Sequence, residues 1–270
     1  MIDVAIIGSG PAALTAAIYS ARSGLKTVVY EKSKFGGLLS EIPHIANFPG
    51  YDGTGAELAN TLKKQAESAG ATIEYGECTA IYPDLIIDEE KISARAILIA
   101  TGTEPKPLDI PTTTPVSYCA LCDGPLYKGK NVLVIGGGNS AFSEALYLSD
   151  LAANLTIANR SHFRAEASLI DKVSAKHNVA LIEDANIDQS FLDSFDAVFV
   201  YIGKHPATSF VPTDILGSDG LIITDSDFAT TIPGVFAAGD VRSGSIKQAI
   251  TAAAEGAAAA ISVVDYLKKC

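Results

Sequence analysis

The chain has 270 residues, of which 48% are hydrophobic and 19% charged, a balance typical of a folded globular protein rather than a disordered chain. Its formal net charge of −11, from 20 basic and 31 acidic residues, argues against nucleic acid or an anionic membrane as a partner, since both require a basic surface. Four cysteines are too few for a disulfide scaffold, and no basic segment with a cleavage site precedes the first apolar run, so we expect a cytoplasmic protein without a secretory signal.

The first predicted elements are a strand at residues 3–7, a helix at about 12–23 and a strand at 26–30. The glycine turn Gly8-Ser-Gly10-Pro-Ala-Ala13 joins the first strand to the helix, and Glu31 ends the second strand. In a dinucleotide-binding fingerprint, such glycines admit a pyrophosphate to the helix N-terminus, and the carboxylate accepts a hydrogen bond from a ribose hydroxyl. The pattern therefore predicts a dinucleotide site at this turn.

A loop rich in glycine and proline follows, containing Phe35-Gly-Gly-Leu38 and Asn47-Phe-Pro-Gly50. It fits equally well a surface connection and a loop that folds over a cofactor. A helix is predicted at about 55–69, and a later apolar strand ends in Ala100-Thr-Gly102. In flavoproteins with two dinucleotide sites, such a strand is where the chain passes from the first domain to the second.

A proline-rich linker, consistent with a hinge, leads to the motif Cys119-Ala-Leu-Cys122-Asp123. Two cysteines at this spacing close a small disulfide that opens and re-forms easily, which suits electron transfer better than structural stapling. Half of a structural zinc site is the alternative, but it needs Cys78, Cys270 or a histidine to complete four ligands. Because there is only one CxxC pair, we expect no metal site. We expect Cys270, at the end of the sequence, to have no role in the reaction, although a redox role stays open.

A second strand, glycine turn, helix and strand span residues 131–160, with the turn Gly136-Gly-Gly138-Asn139-Ser140-Ala141. Asn159 stands where the first unit has Glu31, because each lies 23 residues after the first glycine of its turn. Arg160 and Arg164 follow it. Loss of the carboxylate and gain of arginines favour a 2′-phosphate, and hence NADP(H) over NAD(H), with solvated surface arginines as the alternative.

Further along, a helix is predicted at 163–176 and strands at 179–183, 197–202 and 220–224. A strand ending in Gly239-Asp240 and a helix from Ile246 into the alanine-rich tail complete the chain. We expect Asp240 at the start of that helix, in contact with a cofactor. The apolar run near 252–264 carries Glu255 and is mostly alanine, so it predicts a core helix rather than a membrane span.

The predicted fold class is therefore α/β, with two Rossmann-like domains, the second inserted into the first. The discontinuous FAD-binding domain is predicted at residues 1–112 and 233–270. The NAD(P)H-binding-like domain, which carries the CxxC motif, is predicted at 113–232.

In their order along the whole chain, these motifs resemble those of the low-molecular-weight thioredoxin reductases, the class II FAD-dependent pyridine nucleotide-disulfide oxidoreductases. The motifs that carry the resemblance are Gly8–Ala13, Gly36-Gly37, Asn47–Gly50, Ala100–Gly102, Cys119–Asp123, Gly136–Ala141, Phe163–Ala165 and Gly239-Asp240. The resemblance implies a homodimeric FAD enzyme in which NADPH reduces the flavin, the flavin reduces the CxxC pair, and the dithiol reduces thioredoxin. It also implies that Cys122 faces the flavin, that Cys119 attacks the thioredoxin disulfide, and that Asp123 donates and accepts protons.

The resemblance also assigns the cofactor-binding residues. Those assigned to FAD are Gly8, Gly10, Pro11, Ala12, Glu31, Gly36, Gly37, Leu38, Asn47, Thr101, Gly102, Gly239, Asp240, Lys247, Gln248 and Ala249. Those assigned to NADPH are Gly136, Gly138, Asn139, Ser140, Arg160 and Arg164.

The chain departs from the family pattern mainly on the side of the electron donor. The family's His-Arg-Arg is Ala158-Asn159-Arg160 here, so one phosphate-binding arginine is missing, and the family's Arg-Gln-Ala is Lys247-Gln248-Ala249. The chain is also shorter than usual. NADPH is the favoured donor, and reduced ferredoxin, which some short family members use, is the alternative. A dithiol oxidase or a small-disulfide reductase on the same scaffold also stays open.

Overall fold

The computed structural model describes residues 1–269, so Cys270 and any redox role for it lie outside the described residues. The strands are β1 (Ile2–Ile7), β2 (Thr27–Glu31), β3 (Ile45–Phe48), β4 (Tyr51–Gly53), β5 (Thr72–Tyr75), β6 (Cys78–Ala80), β7 (Leu85–Ile87), β8 (Glu90–Ile92), β9 (Ala94–Ile99), β10 (Thr103–Pro105), β11 (Val116–Ser117), β12 (Asn131–Ile135), β13 (Asn154–Ala158), β14 (Val179–Ile182), β15 (Ala197–Val200), β16 (Lys204–Pro206) and β17 (Val235–Ala237). The α-helices are α1 (Pro11–Arg22), α2 (Gly55–Ser68), α3 (Ala120–Asp123), α4 (Asn139–Ser149), α5 (Ala167–Ser174), α6 (Gln189–Leu192) and α7 (Ala249–Lys269).

The chain forms two compact units. Unit 1 runs from Met1 to Glu104 and resumes at Pro206, and unit 2 is the inserted segment Pro105–His205. The division on the C-terminal side falls at 205/206, whereas the sequence led us to expect 232/233. Residues in between belong to unit 1 because Val211, Ile215 and Ile222 are buried in the same core as strands β1 and β17.

Unit 1 is built on a parallel sheet in the order β17-β9-β1-β2-β5. Residues 4–7 of β1 are all buried, as expected for a central strand covered on both faces. Helices α1 and α7 pack closely on each other over this sheet, with alanines of both helices in one core. The strand order places the ends of β1, β2 and β9 side by side at the carboxyl edge of the sheet.

Helix α7 confirms the expected helix in the alanine-rich tail. By length and composition alone it could cross a membrane, as 21 apolar-rich residues would. However, residues at helical spacing, from Ala252 to Leu267, are buried in the core of unit 1. Packing against α1 therefore accounts for its apolar character.

Unit 2, like unit 1, is built on a five-stranded parallel sheet, here in the order β11-β15-β12-β13-β14. The fully buried rings of Phe142 on α4 and Phe199 on β15 fill the core on one face of the sheet. The pairing of Ala158 with Ile182 aligns the carboxyl ends of β13 and β14. Residues that follow these two strands therefore lie next to each other.

Three element predictions were wrong in detail. Residues 220–224 form only isolated bridges, such as Ile222 with Arg242, instead of a strand. The helix predicted from 163 begins at Ala167. Helix α7 begins at Ala249 rather than Ile246, so Asp240 lies in a turn-rich segment nine residues before it, not at its first turn.

Candidate active site

The glycine turn after β1 is shaped to admit a phosphate. Gly8 has a φ of +102°, and a Cβ there would lie 2.5 Å from the carbonyl oxygen of Ala100, so only glycine fits. A Cβ on Gly10 would meet no atom within 4 Å. Gly10 also caps α1 without a side-chain hydrogen bond, and Pro11 begins the helix. The open space in front of the N-terminus of α1 fits the pyrophosphate of a dinucleotide.

Glu31 is buried at the end of β2 and is held in place by serines. Its Oε2 accepts a hydrogen bond from the Ser9 hydroxyl at 2.6 Å, and its Oε1 accepts one from the Ser33 N–H at 3.0 Å. The Ser9 Oγ in turn accepts a hydrogen bond from the Gly36 N–H at 3.0 Å. Ser9 therefore connects the carboxylate to the glycine-rich loop. This role was not predicted, although Ser9 stands between the two glycines of the turn.

A cleft opens at the carboxyl edge of the sheet of unit 1, and its lining includes the predicted residues Gly8, Glu31 and Thr101. This is where ligands bind in open parallel sheets. The sequence analysis missed Lys32 and Glu104, which also line the cleft and form an ion pair. The Glu104 carboxylate raises the pKa of Lys32 above its ordinary value.

Cys78 lies in the wall of the same cleft and is buried. Burial raises the pKa of its thiol to about 12, despite the opposing effect of a hydrogen bond with the Ala80 backbone. It is therefore an inert thiol.

The glycine-rich loop folds back onto the first glycine turn. Gly36 (φ +96°) and Gly37 (φ +53°) are in the left-handed region, and a Cβ on Gly37 would lie 3.6 Å from Gly10 Cα. Farther along the loop, the Asn47 side-chain amide donates a hydrogen bond to Gln248 Oε1 at 3.2 Å. The loop therefore lies against the first glycine turn and is tied to the segment just before α7.

Gly239 contacts the first turn of α1 from the other side, since a Cβ on it would lie 2.9 Å from Ala12 Cβ. Its N–H donates a hydrogen bond to Glu255 Oε2 at 2.8 Å, and Arg242 forms an ion pair with the same carboxylate. This largely buried pair holds the Gly239-Asp240 segment beside the turn at Gly10. Unit 1 therefore brings together the glycines of three separate segments.

The CxxC motif in unit 2 forms a disulfide between Cys119 and Cys122, whose Cα atoms are 5.3 Å apart. The Ser117 hydroxyl donates a hydrogen bond to Asp123 Oδ2 at 2.7 Å, and the Ser117 Oγ accepts one from the Cys119 N–H at 3.1 Å. One serine therefore positions both the carboxylate and the disulfide. Cys122 is exposed, and Cys119 is half-buried.

The second glycine turn is equally open in front of its helix. Gly136 (φ +149°) packs against the Tyr201 carbonyl, where a Cβ would approach to 2.4 Å, while a Cβ on Gly138 would meet no atom within 4 Å. Gly138 caps α4 without a side-chain hydrogen bond. Asn139, in the first turn of α4, exchanges two hydrogen bonds with Glu166, at 2.8 and 3.0 Å.

The loop after β13 carries Arg160 and Arg164, both exposed, and neither forms an ion pair within residues 1–269. The Asn159 side-chain amide donates hydrogen bonds to the carbonyls of Ser161 and His162, at 2.9 and 3.0 Å, so it serves to fold the loop. The Arg164 N–H donates a hydrogen bond to the Gly137 carbonyl, which holds the loop against the glycine turn. The loop that carries both arginines thus lies against the glycine turn of the predicted phosphate site.

Two Rossmann-like units, with a disulfide at CxxC spacing in the inserted one, define a flavin- and nicotinamide-dependent disulfide oxidoreductase. The family model described as pyridine nucleotide-disulphide oxidoreductase matches residues 2–256, and the chain belongs to this family.

Thioredoxin reductases are among the relatives that match over nearly the whole chain. The chain is 36% identical to thioredoxin reductase from Treponema pallidum, covering 98% of this chain and 97% of that protein. The alignment spans 297 positions and this chain has 270 residues, so the relative has segments without a counterpart here.

Solved structures agree with this assignment. The Lactococcus lactis thioredoxin reductase matches with a TM-score of 0.90 and 34% identity, over all of both chains. A ferredoxin-flavin thioredoxin reductase from Clostridium acetobutylicum matches with a TM-score of 0.58 and 30% identity, covering 100% of this chain and 99% of that one.

Proposed function

We propose that the chain is an FAD-dependent thioredoxin-disulfide reductase that takes electrons from NADPH. The observation that carries this proposal is the Cys119–Cys122 disulfide, with Asp123 beside it, in a chain whose two glycine turns are both open to a dinucleotide. When bound, FAD supplies two-electron transfer between a nicotinamide and a disulfide.

Unit 1 provides the residues that would hold FAD. The N-terminus of α1 at Gly10 would face the pyrophosphate, and Glu31 would accept a hydrogen bond from a ribose hydroxyl. The loop of Gly36 and Gly37 would cover the pyrophosphate, and Gly239 would close the site from the side of α7. These roles are supported by the contacts of the other three segments with the turn at Gly10 and the first turn of α1.

The chemistry at the disulfide follows ordinary thiol exchange. In the reduced pair, the Cys119 thiolate attacks one sulfur of the thioredoxin disulfide, forms a mixed disulfide and releases the other thioredoxin sulfur as a thiolate. Cys122 then attacks the Cys119 sulfur, which re-forms the internal disulfide and releases the second thioredoxin thiolate. Asp123 would protonate a leaving thiolate, and Ser117 keeps its carboxylate in place.

The assignment of the two cysteines can be tested by trapping. Cys122→Ser should leave a stable mixed disulfide between Cys119 and thioredoxin, visible as a covalent adduct by intact mass. Cys119→Ser is the matched control and should form none. If only Cys119→Ser forms an adduct, the roles of the two cysteines are the reverse of those proposed. If neither variant forms an adduct and the wild type does not reduce thioredoxin, thioredoxin is not the substrate.

Reduced ferredoxin is the second candidate donor, favoured by the similarity to the Clostridium acetobutylicum enzyme and by the single arginine in Ala158-Asn159-Arg160. Anaerobic stopped-flow bleaching of the flavin with NADPH, NADH and reduced ferredoxin distinguishes the donors. Fast bleaching by NADPH that slows in Arg160→Ala supports the proposal. Bleaching by ferredoxin alone would overturn the nucleotide as donor but leave the disulfide chemistry intact.

From the resemblance to the low-molecular-weight thioredoxin reductases, we further propose that the enzyme is a cytoplasmic homodimer. Light scattering after size-exclusion chromatography would test this, with a mass of about twice the 28.1 kDa of the chain expected.

A further inference from the structure

The residues after β14 lie directly beside the loop that carries Arg160. The Asn159 N–H donates a hydrogen bond to the Ile182 carbonyl at 3.0 Å, and the Ala185 N–H donates one to the Asn159 carbonyl at 2.9 Å. The two residues between these anchors are Glu183 and Asp184. A pair of carboxylates therefore flanks the end of β13. The residues that follow β13 itself are an asparagine and an arginine, Asn159 and Arg160.

Both carboxylates point into the arginine-bearing loop. Glu183 Oε1 accepts a hydrogen bond from the Phe163 N–H, and His162 Nδ1 lies 3.3 Å from Glu183 Oε2 and 3.9 Å from Asp184 Oδ2. The Phe163 N–H and His162 lower the pKa of Glu183, so this carboxylate is ionised at neutral pH. Two carboxylates therefore lie against the loop that carries Arg160 and Arg164.

We propose that Glu183 and Asp184 are specificity-determining residues that weaken binding of a nucleotide 2′-phosphate, so that unit 2 distinguishes poorly between NADPH and NADH. This inference rests on the proposed nucleotide site in unit 2. A carboxylate at the end of a neighbouring strand repels a phosphate and can accept hydrogen bonds from an unphosphorylated ribose. For two unit charges about 5 Å apart in water, the expected effect is about threefold to fivefold in affinity per carboxylate.

The experiment measures binding of two adenosine fragments, 2′,5′-ADP and 5′-AMP, to the holoenzyme by isothermal titration calorimetry. Asp184→Asn is the cleaner variant, because asparagine tolerates the left-handed backbone of this residue (φ +51°). It should bind 2′,5′-ADP about threefold to fivefold more tightly at low salt, with binding of 5′-AMP unchanged or slightly weaker. Glu183→Gln, whose amide oxygen can still accept the Phe163 N–H, should act in the same direction.

Asp150→Asn is the matched control for net charge. Asp150 caps the opposite end of α4 from the glycine turn and is paired with Lys176. It should not change the affinity for either fragment. The gain from Asp184→Asn should also shrink in 0.5 M salt, since exposed charges are screened.

Equal gains in Asp150→Asn and Asp184→Asn, or no gain in Asp184→Asn and Glu183→Gln while the wild type binds both fragments, would overturn the inference and leave the proposed function standing. If neither fragment binds to any variant, the nucleotide site in unit 2 fails as well, whereas the thioredoxin-trapping experiment would still report on the disulfide chemistry.

Discussion

Gly256 on α7 packs against the backbone of Ala12 on α1, and replacing it with alanine tests how tightly the flavin site is built. A Cβ at residue 256 would lie 2.1 Å from the carbonyl oxygen of Ala12 and 2.9 Å from its Cα. Non-bonded carbon and oxygen atoms need well over 3 Å, so the two helices would have to separate by more than an ångström. Because the obstructing atoms belong to backbone, no side-chain rotation relieves the clash.

Two effects of opposite sign decide the result. Alanine is favoured over glycine inside a helix by about 1 kcal/mol. Overpacking a tight core costs about 1–3 kcal/mol, and the involvement of helix backbone places Gly256→Ala near the upper end of that range. The expected net loss is therefore about 2 kcal/mol in the free energy of unfolding. Since Ala12 stands in the first turn of α1, two residues after Gly10, the displacement should also weaken flavin retention.

The assay is urea unfolding followed by circular dichroism, together with the flavin-to-protein absorbance ratio of the purified enzyme. Ala254→Gly, on the exposed face of the same helix, is the matched control. It should cost about 1 kcal/mol from helix propensity and leave the flavin content unchanged. If Gly256→Ala instead stabilises the protein by about 1 kcal/mol and keeps its flavin, the helix crossing is looser than the structure shows.

Three further predictions concern titratable groups. Burial raises the pKa of Cys78 to about 12, so the contribution of this thiol to stability should be full below pH 9 and should fall as the pH rises from 9 to 12. The free energy of unfolding of Cys78→Ala should decline less over this interval. Iodoacetamide should label Cys78 only after the protein unfolds. Glu255→Ala leaves the largely buried Arg242 without its carboxylate and should cost about 3 kcal/mol in urea unfolding, most of which the double variant Arg242→Met, Glu255→Leu should restore. The Thr112 hydroxyl and the following N–H lower the pKa of Asp193, so its contribution should be present above pH 3.8 and lost as the pH falls; Asp193→Asn should lower the unfolding midpoint at pH 7, and the gap from wild type should narrow below pH 3.8.

The sheets of the fold were predictable because apolar strands followed by glycine turns occur twice with the same spacing. What the pattern could not show was where tertiary contacts override local preference. The segment before α5 stays non-helical because the Phe163 ring packs edge-to-face on Phe142 and its N–H is bonded to Glu183. Residues 220–224 have the composition of a strand, but Ile222 is buried among residues of unit 1 and pairs only through isolated bridges.

The proposed nucleotide site likewise depends on tertiary contacts that the sequence pattern does not show. Comparing Asn159 with Glu31 along the chain indicates loss of a carboxylate and therefore a preference for a 2′-phosphate. The register Ala158 with Ile182 adds what that comparison omits, because it brings Glu183 and Asp184 to the end of β13 from the neighbouring strand. On our proposal, nucleotide preference depends on the charges that two adjacent strands present at one edge, and only the strand pairing shows which charges these are. Asp184→Asn removes one of these charges and keeps the backbone conformation. It therefore separates the effect of the neighbouring strand on nucleotide affinity from the effect of the Asn159-Arg160 motif.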